Sequence, residues 1–302
     1  EGHKGTFGKV LCLCGSVGYT GAPVFASRGA VRSGAGLVFL GVPVSIWPVA
    51  AVKSDEAMPF PLPEAEGRLS LLAEETIRRR AAGCDAVLLG CGLGRGRQTD
   101  ALVRRLMDLP QPLVLDADGI NALAGHMDEW ERRRGRVTVL TPHEGEFLRV
   151  GGNLSQGRTA AAEDFARRSG AVVVLKGPGT VVAGPDGRCR VNTTGNCGMA
   201  KGGSGDVLSG VVLALLGLGM DAFDACCCAV WLHGRAGDLA AQENKIKQIE
   251  AEIKRKEEEE RKKAEAARKA EEEARKKAEA AGKKVSATDK AASYNVASLG
   301  NI

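Results

Sequence analysis

Short apolar runs alternate with amphipathic stretches over residues 1–241, and this alternation restricts the fold more than any other feature of the sequence. The runs are apolar at nearly every position, as expected of parallel strands that helices cover on both faces. Predicted strands lie at 9–13, 37–42, 86–89, 113–115, 137–140, 172–175, 180–183 and 188–192. Predicted helices lie at 21–33, 66–82, 100–108, 119–124, 145–150, 157–169, 205–216 and 221–241. The pattern indicates an α/β fold with a doubly wound, mostly parallel sheet.

The composition of the chain changes near Gln242. Residues 242–302 contain 16 Lys and Arg and 13 Asp and Glu, and acidic residues often stand four positions before basic ones. We expect 242–282 to form a long charged helix exposed to solvent, and 283–302 to form a disordered tail. The apolar heptads of a sustained coiled coil are absent from this sequence. This part of the chain is either a spacer or partner-binding arm, or a solvated appendage.

The overall composition excludes several classes of protein. No apolar run in the sequence is long enough to span a membrane, and a net charge of +5 is too small for a surface that binds nucleic acid or an anionic membrane. The nine cysteines lie mostly in apolar contexts and lack the pair spacing of a zinc site. With no secretory signal, they predict a reducing, cytoplasmic compartment. The chain begins at Glu1 rather than at methionine, so we expect further sequence upstream.

The strongest chemical signal is a glycine cluster that opens an apolar helix, Gly202-Gly203-Ser204-Gly205-Asp206. Glycines let the backbone approach a ligand closely, and the first amides of a helix point at one place. Gly203, Ser204 and Gly205 are therefore predicted to form a nest for a phosphate or a developing anion. Asp206 is the candidate general base, and the alternative is a helix-start residue that stabilises the dipole. This is not a Walker A loop, because Lys201 precedes the glycines.

Polar segments also follow three other predicted strands, at the edge where a doubly wound sheet binds its ligands. Asp116 and Asp118 place two carboxylates at a strand end, where turn and N-cap roles are the alternative. His143 stands beside two acidic residues, which suits contact with a polar ligand or with metal-bound water. Lys176 opens the segment 176–180, which suits a nucleotide phosphate, and a tight hairpin is the competing interpretation.

Together these segments resemble the NAD(P)H-hydrate dehydratase family, a ribokinase-like group that repairs hydrated nicotinamide cofactors. The resemblance covers residues 1–241, and the motifs follow the family order. The matching motifs are His3-Lys4-Gly5, Gly18-Tyr19-Thr20-Gly21-Ala22-Pro23, Ser33-Gly34-Ala35-Gly36-Leu37-Val38, Gly92-Leu93-Gly94, Asp116-Ala117-Asp118-Gly119-Ile120-Asn121, Thr141-Pro142-His143-Glu144-Gly145-Glu146-Phe147, Lys176-Gly177-Pro178-Gly179-Thr180 and Gly202-Gly203-Ser204-Gly205-Asp206. The implied fold is ribokinase-like, a central, mostly parallel sheet flanked by helices on both faces, with a long charged C-terminal helix added here.

The resemblance implies ADP-dependent dehydration of the (S)-hydrate of NADH or NADPH, giving NAD(P)H, AMP and phosphate. The histidine in this chain's version of the motif resembles the ADP-using type rather than the ATP-using type. Asp206 is implied as the catalytic base, with Mg²⁺ neutralising phosphate charge. The residues implied to bind the hydrate are Ala35, Gly94, His143 and Asp206. Those implied to bind the nucleotide are Lys176, Gly177, Pro178, Gly179, Thr180 and Gly205.

The resemblance also implies partners. Members of the family form homo-oligomers, expected here to be a tetramer, and are often fused to an upstream epimerase domain. They usually continue past position 241 with a short closing helix, which the charged segment replaces in this chain. Two other functions stay open: a ribokinase-like kinase that phosphorylates an alcohol such as a vitamin precursor, and an inactive nucleotide-binding module with a scaffold tail.

Overall fold

The computed structural model describes residues 2–126 and 128–297, the stretch 281–297 by its backbone alone. The strands are β1 (Lys9–Leu13), β2 (Leu37–Pro43), β3 (Met58–Leu62), β4 (Glu64–Ala65), β5 (Arg68–Leu69), β6 (Ala86–Leu89), β7 (Leu113–Leu115), β8 (Thr138–Leu140), β9 (Val172–Leu175), β10 (Val181–Ala183) and β11 (Cys189–Val191). The helices are α1 (Ala22–Arg32), α2 (Trp47–Lys53), α3 (Glu74–Ala81), α4 (Arg97–Leu106), α5 (Asp118–Asn121), α6 (Asp128–Arg133), α7 (Glu144–Arg149), α8 (Arg158–Ser169), α9 (Ser204–Gly217) and α10 (Ala222–Ala297).

One nine-stranded sheet dominates the described residues, in the order β11-β10-β9-β8-β7-β6-β1-β2-β3. All neighbours from β9 to β3 along this order pair in parallel, and β10 is antiparallel to both β9 and β11. The predicted mostly parallel sheet is therefore confirmed. Because the parallel strands end at one edge of the sheet, the segments that follow β1, β6, β7, β8 and β9 meet there.

Successive residues of each strand enter two different cores. Leu11 and Leu13 of β1 pack on one face with residues of α3, α4, α7 and α8. Val10 and Cys12 pack on the other face with residues of α1, α9 and the first part of α10. All four side chains are fully buried, and burying a large apolar side chain contributes about 1.5–3 kcal/mol. Helices thus cover both faces of the sheet, as the apolar runs predict.

Helix α9 lies against α1 with their backbones in close approach. A Cβ atom at Gly29 would lie 2.6 Å from the carbonyl oxygen of Val207, and a Cβ atom at Gly210 would overlap the carbonyl oxygen of Ala26. Any side chain at either position would push the helices apart, so glycine is required at both. This approach fixes the N-terminus of α9 at the carboxyl edge of the sheet.

The region between β2 and α3 differs from the predicted elements. Strand β3 escaped prediction because Pro59 and Pro61 interrupt it, and proline is tolerated there because β3 is an edge strand. The helix predicted at 66–82 begins only at α3. Its first residues instead form the β4–β5 hairpin, in which Glu66 and Gly67 both have positive φ, +53° and +74°.

The chain divides after Ala241 into two units, the second of which contains the charged part of α10. Helix α10 continues past Gly282, where the sequence predicted its end, to Ala297. One glycine in a helix costs about 1 kcal/mol relative to alanine, which alone does not end a helix. Of the segment predicted to be disordered, residues 298–302 lie outside the described part of the chain.

None of the helices in the described ranges combines the length and the apolar character needed to cross a membrane. All nine cysteines are free thiols, and five of them are buried. Burial raises the pKa of the Cys226 thiol well above its ordinary value, so this side chain behaves as a small apolar residue of the core.

Candidate active site

A cleft of about 940 Å³ opens at the carboxyl edge of β8 and β9, beside the N-terminus of α9. His143 and Lys176 stand next to each other there, because they pair as a parallel bridge just beyond the two strands. The rest of the wall comes from the loop 192–201, the first turn of α9 and one side of α10. The predicted site residues that line the cleft are His143, Lys176, Gly177, Pro178, Gly179, Thr180, Ser204 and Gly205.

The first turn of α9 presents unpaired backbone donors to this cleft. Gly203 is the N-cap and has φ of +90°, a left-handed conformation that favours glycine. Of the predicted nest, the Ser204 amide donates to the carbonyl oxygen of Lys201 (3.4 Å). Within residues 2–126 and 128–297, the amides of Gly205 and Asp206 have no hydrogen-bond acceptor, because the first amides of a helix lack an intrahelical partner. Two donors and the positive end of the helix dipole therefore point at one place, which suits an anion.

A buried ion pair lies directly behind this turn. Asp116, only 1% exposed, accepts a hydrogen bond at Oδ1 from Nζ of Lys176 (2.7 Å) and at Oδ2 from Oγ of Ser209 (2.8 Å). Burial favours the neutral carboxyl, but the Lys176 ammonium and the hydrogen bonds outweigh burial and lower the pKa of Asp116. Burial likewise opposes the Lys176 charge, and the neighbouring carboxylates outweigh it and raise the pKa of Lys176. Both groups are therefore charged at neutral pH.

Asp206 is half-buried on the first turn of α9, next to the ion pair, and its neighbour Gly205 lines the cleft while Asp206 itself does not. One carboxylate oxygen each of Asp206 and Asp116 and the Sγ of Cys91 lie within 4.8 Å of one another. Burial and the negative charge of Asp116 raise the pKa of Asp206 to about 6, against the opposing effects of Cys91 and Lys176. Asp206 is thus mostly ionised at neutral pH and is basic enough to accept a proton there.

His143 is the N-cap of α7. Its Nδ1 accepts hydrogen bonds from the amides of Gly145 (3.0 Å) and Glu146 (3.3 Å), and Oε2 of Glu146 accepts one from the His143 amide (2.9 Å), which makes a capping box. The two amide donors place the ring proton on Nε2, which lies 3.3 Å from Oε1 of Glu146. Both ring nitrogens therefore have partners within the chain, and His143 lines the cleft.

The segment after β9 is both a hairpin and a wall of the cleft, so the two interpretations of this segment are compatible. The Oγ1 of Thr180 donates a hydrogen bond to the carbonyl oxygen of Gly177 across the turn (3.0 Å). Behind the turn, the Arg158 guanidinium donates to the carbonyl oxygens of Pro178 and Leu175, each at 2.9 Å. Arg158 therefore fixes the shape of the segment from the side away from the cleft.

Of the residues implied to bind the hydrate, His143 lines the cleft, Asp206 stands next to its wall, and Gly94 and Ala35 lie away from it. Gly94 follows β6 at the same edge of the sheet, where its amide donates to Oδ2 of Asp118 (2.9 Å), and the side chain of Arg68 lies beside it. Ala35 precedes β2 at the amino edge, because α1 runs back antiparallel to the strands. A single chain therefore does not bring Ala35 to the other predicted site residues.

Sequence reasoning missed two hydroxyl residues of the site. Ser209 stands one helical turn after Asp206, and its hydroxyl lies 3.4 Å from Oγ1 of Thr141 as well as bonding Asp116. A serine inside the apolar run of α9 is the signal that could have found it, because a buried hydroxyl needs a partner.

His233 and Asp238 of α10 were also missed. Nε2 of His233 lies 3.4 Å from Oγ of Ser204, and burial lowers the pKa of this imidazole. Asp238 accepts hydrogen bonds from the amide of Gly195 and from Nδ2 of Asn196, each at 3.0 Å, and so holds the loop that closes the cleft. Nothing in the sequence pattern separates these two residues from the solvent-exposed polar residues of α10.

Cys91, Asp116 and Asp206 are placed closely enough to consider a metal site. Mg²⁺ prefers oxygen ligands in an octahedral arrangement. Cys91 offers sulfur, and both oxygens of Asp116 already accept hydrogen bonds, from Lys176 and Ser209. These residues do not fit a Mg²⁺ ion bound permanently by the protein.

The comparisons with known proteins agree with this geometry. A family model described as NAD(P)H-hydrate dehydratase matches residues 10–258. The chain is 42% identical over 249 residues to the bifunctional NAD(P)H-hydrate repair enzyme Nnr of Moorella thermoacetica, covering 80% of this chain and 47% of that protein. It is 36% identical over 246 residues to the ADP-dependent (S)-NAD(P)H-hydrate dehydratase of Neisseria meningitidis, covering 79% of each. The chain thus spans about half the length of the bifunctional relatives.

A solved structure is similar as well. The crystal structure of the ADP/ATP-dependent NAD(P)H-hydrate dehydratase from Bacillus subtilis, co-crystallised with ATP/Mg²⁺, aligns with a TM-score of 0.65 and 32% identity, covering 80% of this chain and 84% of that one. The fold is therefore ribokinase-like, as the motifs imply.

Proposed function

Because this chain belongs to the NAD(P)H-hydrate dehydratase family, we propose that it catalyses the ADP-dependent dehydration of the (S)-hydrate of NADH or NADPH, a hydro-lyase reaction that repairs damaged nicotinamide nucleotides. One observation carries the proposal: a carboxylate with a raised pKa, Asp206, stands beside the unpaired amides of a helix N-terminus. This pair of features suits transfer of a phosphoryl group to a hydroxyl.

The chemistry needs phosphorylation because hydroxide is a poor leaving group. In the first step Asp206 takes the proton of the hydrate hydroxyl, whose oxygen forms a bond to the β-phosphorus of ADP while the bond from that phosphorus to the AMP oxygen breaks. In the second step the carbon–oxygen bond breaks and phosphate leaves with its electron pair; the adjacent carbon then gives its proton to the departing phosphate, and the electrons of that carbon–hydrogen bond form the double bond. The amides of Gly205 and Asp206 bind the transferring group, which carries the developing charge.

The remaining site residues bind the two substrates. Lys176 and the turn 177–180 bind the nucleotide, which the place of this segment in the wall of the cleft and the Lys176 ammonium support. His143 contacts the hydrate, and Gly94 contacts it at the far end of the same edge. Ala35 is left out of this site because it lies at the opposite edge of the sheet.

We propose that Mg²⁺ enters with the nucleotide phosphates rather than as an ion held by the protein. The donor set of Cys91, Asp116 and Asp206 supports this, since Cys91 offers sulfur and both oxygens of Asp116 already accept hydrogen bonds, which leaves the Asp206 carboxylate alone as an oxygen ligand among the three. When bound with the nucleotide, the ion would neutralise phosphate charge.

We also propose that the chain forms a homo-oligomer, a tetramer by resemblance to its family, in the cytoplasm. The apolar side chains of Trp47, Val49 and Val52 on α2 are exposed, which supports an interface. The nine free thiols support a reducing compartment. Light scattering of the purified chain tests the oligomer, and a monomer at micromolar concentration would contradict it. An upstream epimerase domain stays a prediction.

The decisive assay incubates the chain with the hydrate of NADH, ADP and MgCl₂ and follows the return of reduced-nicotinamide absorbance. Parallel reactions with ATP in place of ADP, and with the hydrate of NADPH, establish the preferred substrates. Recovery of absorbance with release of AMP and phosphate supports the proposal. No recovery together with phosphorylation of a small alcohol would instead identify a kinase, and no turnover of either kind would point to a nucleotide-binding module.

A further inference from the structure

Asp116 is the most deeply buried ionised group near the cleft, and the mechanism above does not use it. Its two oxygens accept hydrogen bonds from Lys176 and Ser209 at 2.7 and 2.8 Å, and the Cys91 thiol lies 3.5 Å from the second oxygen. Because both oxygens are already occupied and the residue is 1% exposed, Asp116 reaches no substrate. It acts on the site only through its neighbours.

The first neighbour is Lys176. A Cβ atom built at Gly205 would lie 3.4 Å from Nζ of Lys176 and 4.0 Å from Oδ2 of Asp116, so the ammonium stands directly beside the free amides of α9. Oε2 of Glu146 lies 3.9 Å from the same nitrogen, on the side of α7. The ammonium is thus held between two carboxylates and the helix N-terminus, in position to contact a phosphoryl group bound there.

The second neighbour is Asp206. The groups that face it are Asp116 after β7, Lys176 after β9 and Cys91 after β6. Asp116 opposes ionisation of Asp206, while Lys176 and the Cys91 thiol favour it. Burial is the larger cause of the raised pKa of Asp206, and among these groups Asp116 adds the negative charge that raises it further.

The backbone around Asp116 is built to hold this position. Ala117 has φ of +47° and ψ of −114°, a strained conformation that non-glycine residues rarely adopt. A Cβ atom at Gly90 would overlap the carbonyl oxygen of Asp116, so β6 and the turn after β7 are in backbone contact. The turn sends Asp116 inward, while Asp118 bonds the amide of Gly94.

We propose that Asp116 is a positioning residue: it holds the Lys176 ammonium at the N-terminus of α9 and places its own negative charge within 4.8 Å of the Asp206 carboxylate. This inference rests on the proposed function and deepens it, because it names the group that prepares both the phosphoryl-binding cation and the base. His233 of α10 also faces the Lys176 ammonium, and its neutral imidazole adds no charge to the cluster.

The test compares the wild type with Asp116→Asn, which keeps the shape of the side chain and removes its charge. The carboxyl carbon of Asp206 is followed by NMR during a pH titration, and the turnover of the hydrate with ADP is measured over the same pH range. In Asp116→Asn we expect the apparent pKa of Asp206 to fall by about one unit and kcat to fall about 100-fold. The acid limb of the pH–rate profile should move to lower pH by the same amount.

Ser209→Ala is the matched control, because it removes a hydrogen bond from Asp116 and leaves the charge in place. In this variant Asp206 should titrate at the same pH as in the wild type, even if the fold is less stable. An unchanged titration of Asp206 in Asp116→Asn, with activity lost only in proportion to unfolded protein, would show that Asp116 is merely structural and overturn the proposal.

Two further results of the experiment have their own interpretation: a variant that does not fold, and a wild type without turnover. If Asp116→Asn does not fold, the wild-type titration still tests the inference, because burial and the charge of Asp116 together should make Asp206 titrate near pH 6. Titration of Asp206 in the ordinary aspartate range would overturn the inference. If the wild type shows no turnover of the hydrate, the proposed function fails, while the NMR titrations of the two proteins still test the effect of Asp116 on Asp206.

Discussion

Two lysine–carboxylate pairs of nearly equal length lie in opposite environments of this chain. Lys176 and Asp116 are 2.7 Å apart with side chains 20% and 2% exposed, whereas Lys276 and Glu272 of the charged helix are 2.6 Å apart and 71% and 64% exposed. Water and salt screen the exposed pair, so its contribution to stability is about 0.3–0.5 kcal/mol. Removing one partner of a buried pair leaves an uncompensated charge, which costs about 3–5 kcal/mol. Distance alone therefore does not show which charges matter.

The two regions also differ in how they are assembled. The pairs of the charged helix join residues four positions apart, so each forms wherever the helix forms. The groups around Asp206 come from the ends of three strands and from α9, and only the complete sheet brings them together. A local charge pair therefore needs only the helix in order to form, whereas the buried cluster needs the complete fold.

The largest effect is expected from Asp206→Asn, which tests whether the buried charge cluster takes part in catalysis. This change removes the proton acceptor and keeps the size of the side chain, so kcat should fall about 1,000-fold or more. Affinity for ADP, measured by calorimetry, should change little, because backbone amides form the phosphate site. Asp100→Asn is the control. Asp100 also lies on the first turn of a helix, α4, but it is not one of the residues that line the cleft. Loss of ADP binding in Asp206→Asn would contradict the assigned role.

The next largest effect is expected on stability, when the same substitution is made at Lys176 and at Lys276. Lys176→Met leaves Asp116 buried without a counter-charge, so the free energy of unfolding in urea should fall by about 3–5 kcal/mol. The same substitution at Lys276 removes only the exposed pair and should change the free energy of unfolding by less than about 0.5 kcal/mol. Equal losses from the two substitutions would show that burial does not distinguish these pairs.

The sequence predicts the fold and the helix N-terminus at the site, because the strands and this helix N-terminus each have a recognisable local sequence pattern. Apolar runs mark the strands, and the glycines before Asp206 mark a helix N-terminus near a ligand. The partners of Asp116 leave no such pattern: Lys176 is 60 positions away and Ser209 is 93 positions away along the chain. Ala35 is a different case, because its motif stands in the family order but within one chain lies at the amino edge of the sheet. A motif in the right order does not state which edge of the sheet it reaches.

A smaller effect is expected from pH, and it applies to the buried region alone. Burial and the charge of Asp116 raise the pKa of Asp206 to about 6, and only the ionised carboxylate accepts a proton. Activity should therefore be full above this pKa and fall as pH decreases through it, about tenfold for each further pH unit. The measurement is the pH dependence of kcat/KM, with the circular dichroism spectrum recorded at each pH to verify folding. A profile that stays flat down to pH 4.5 would mean that Asp206 has the pKa of an exposed aspartate.

The smallest effect is expected from deleting residues 242–302. The described side chains of this segment, 242–280, are exposed, including Ile246, Ile249 and Ile253, so the segment contributes little apolar burial. The shortened chain should melt cooperatively within about 4 °C of the full chain and keep its turnover within about twofold. Deleting residues 222–302 is the matched control within the same helix, because it also removes the buried Phe223 and Cys226 and should abolish the cooperative transition. If the shorter deletion also abolished the transition, the charged segment would be replacing the closing helix that family members usually have, and the contrast between the two regions would fail.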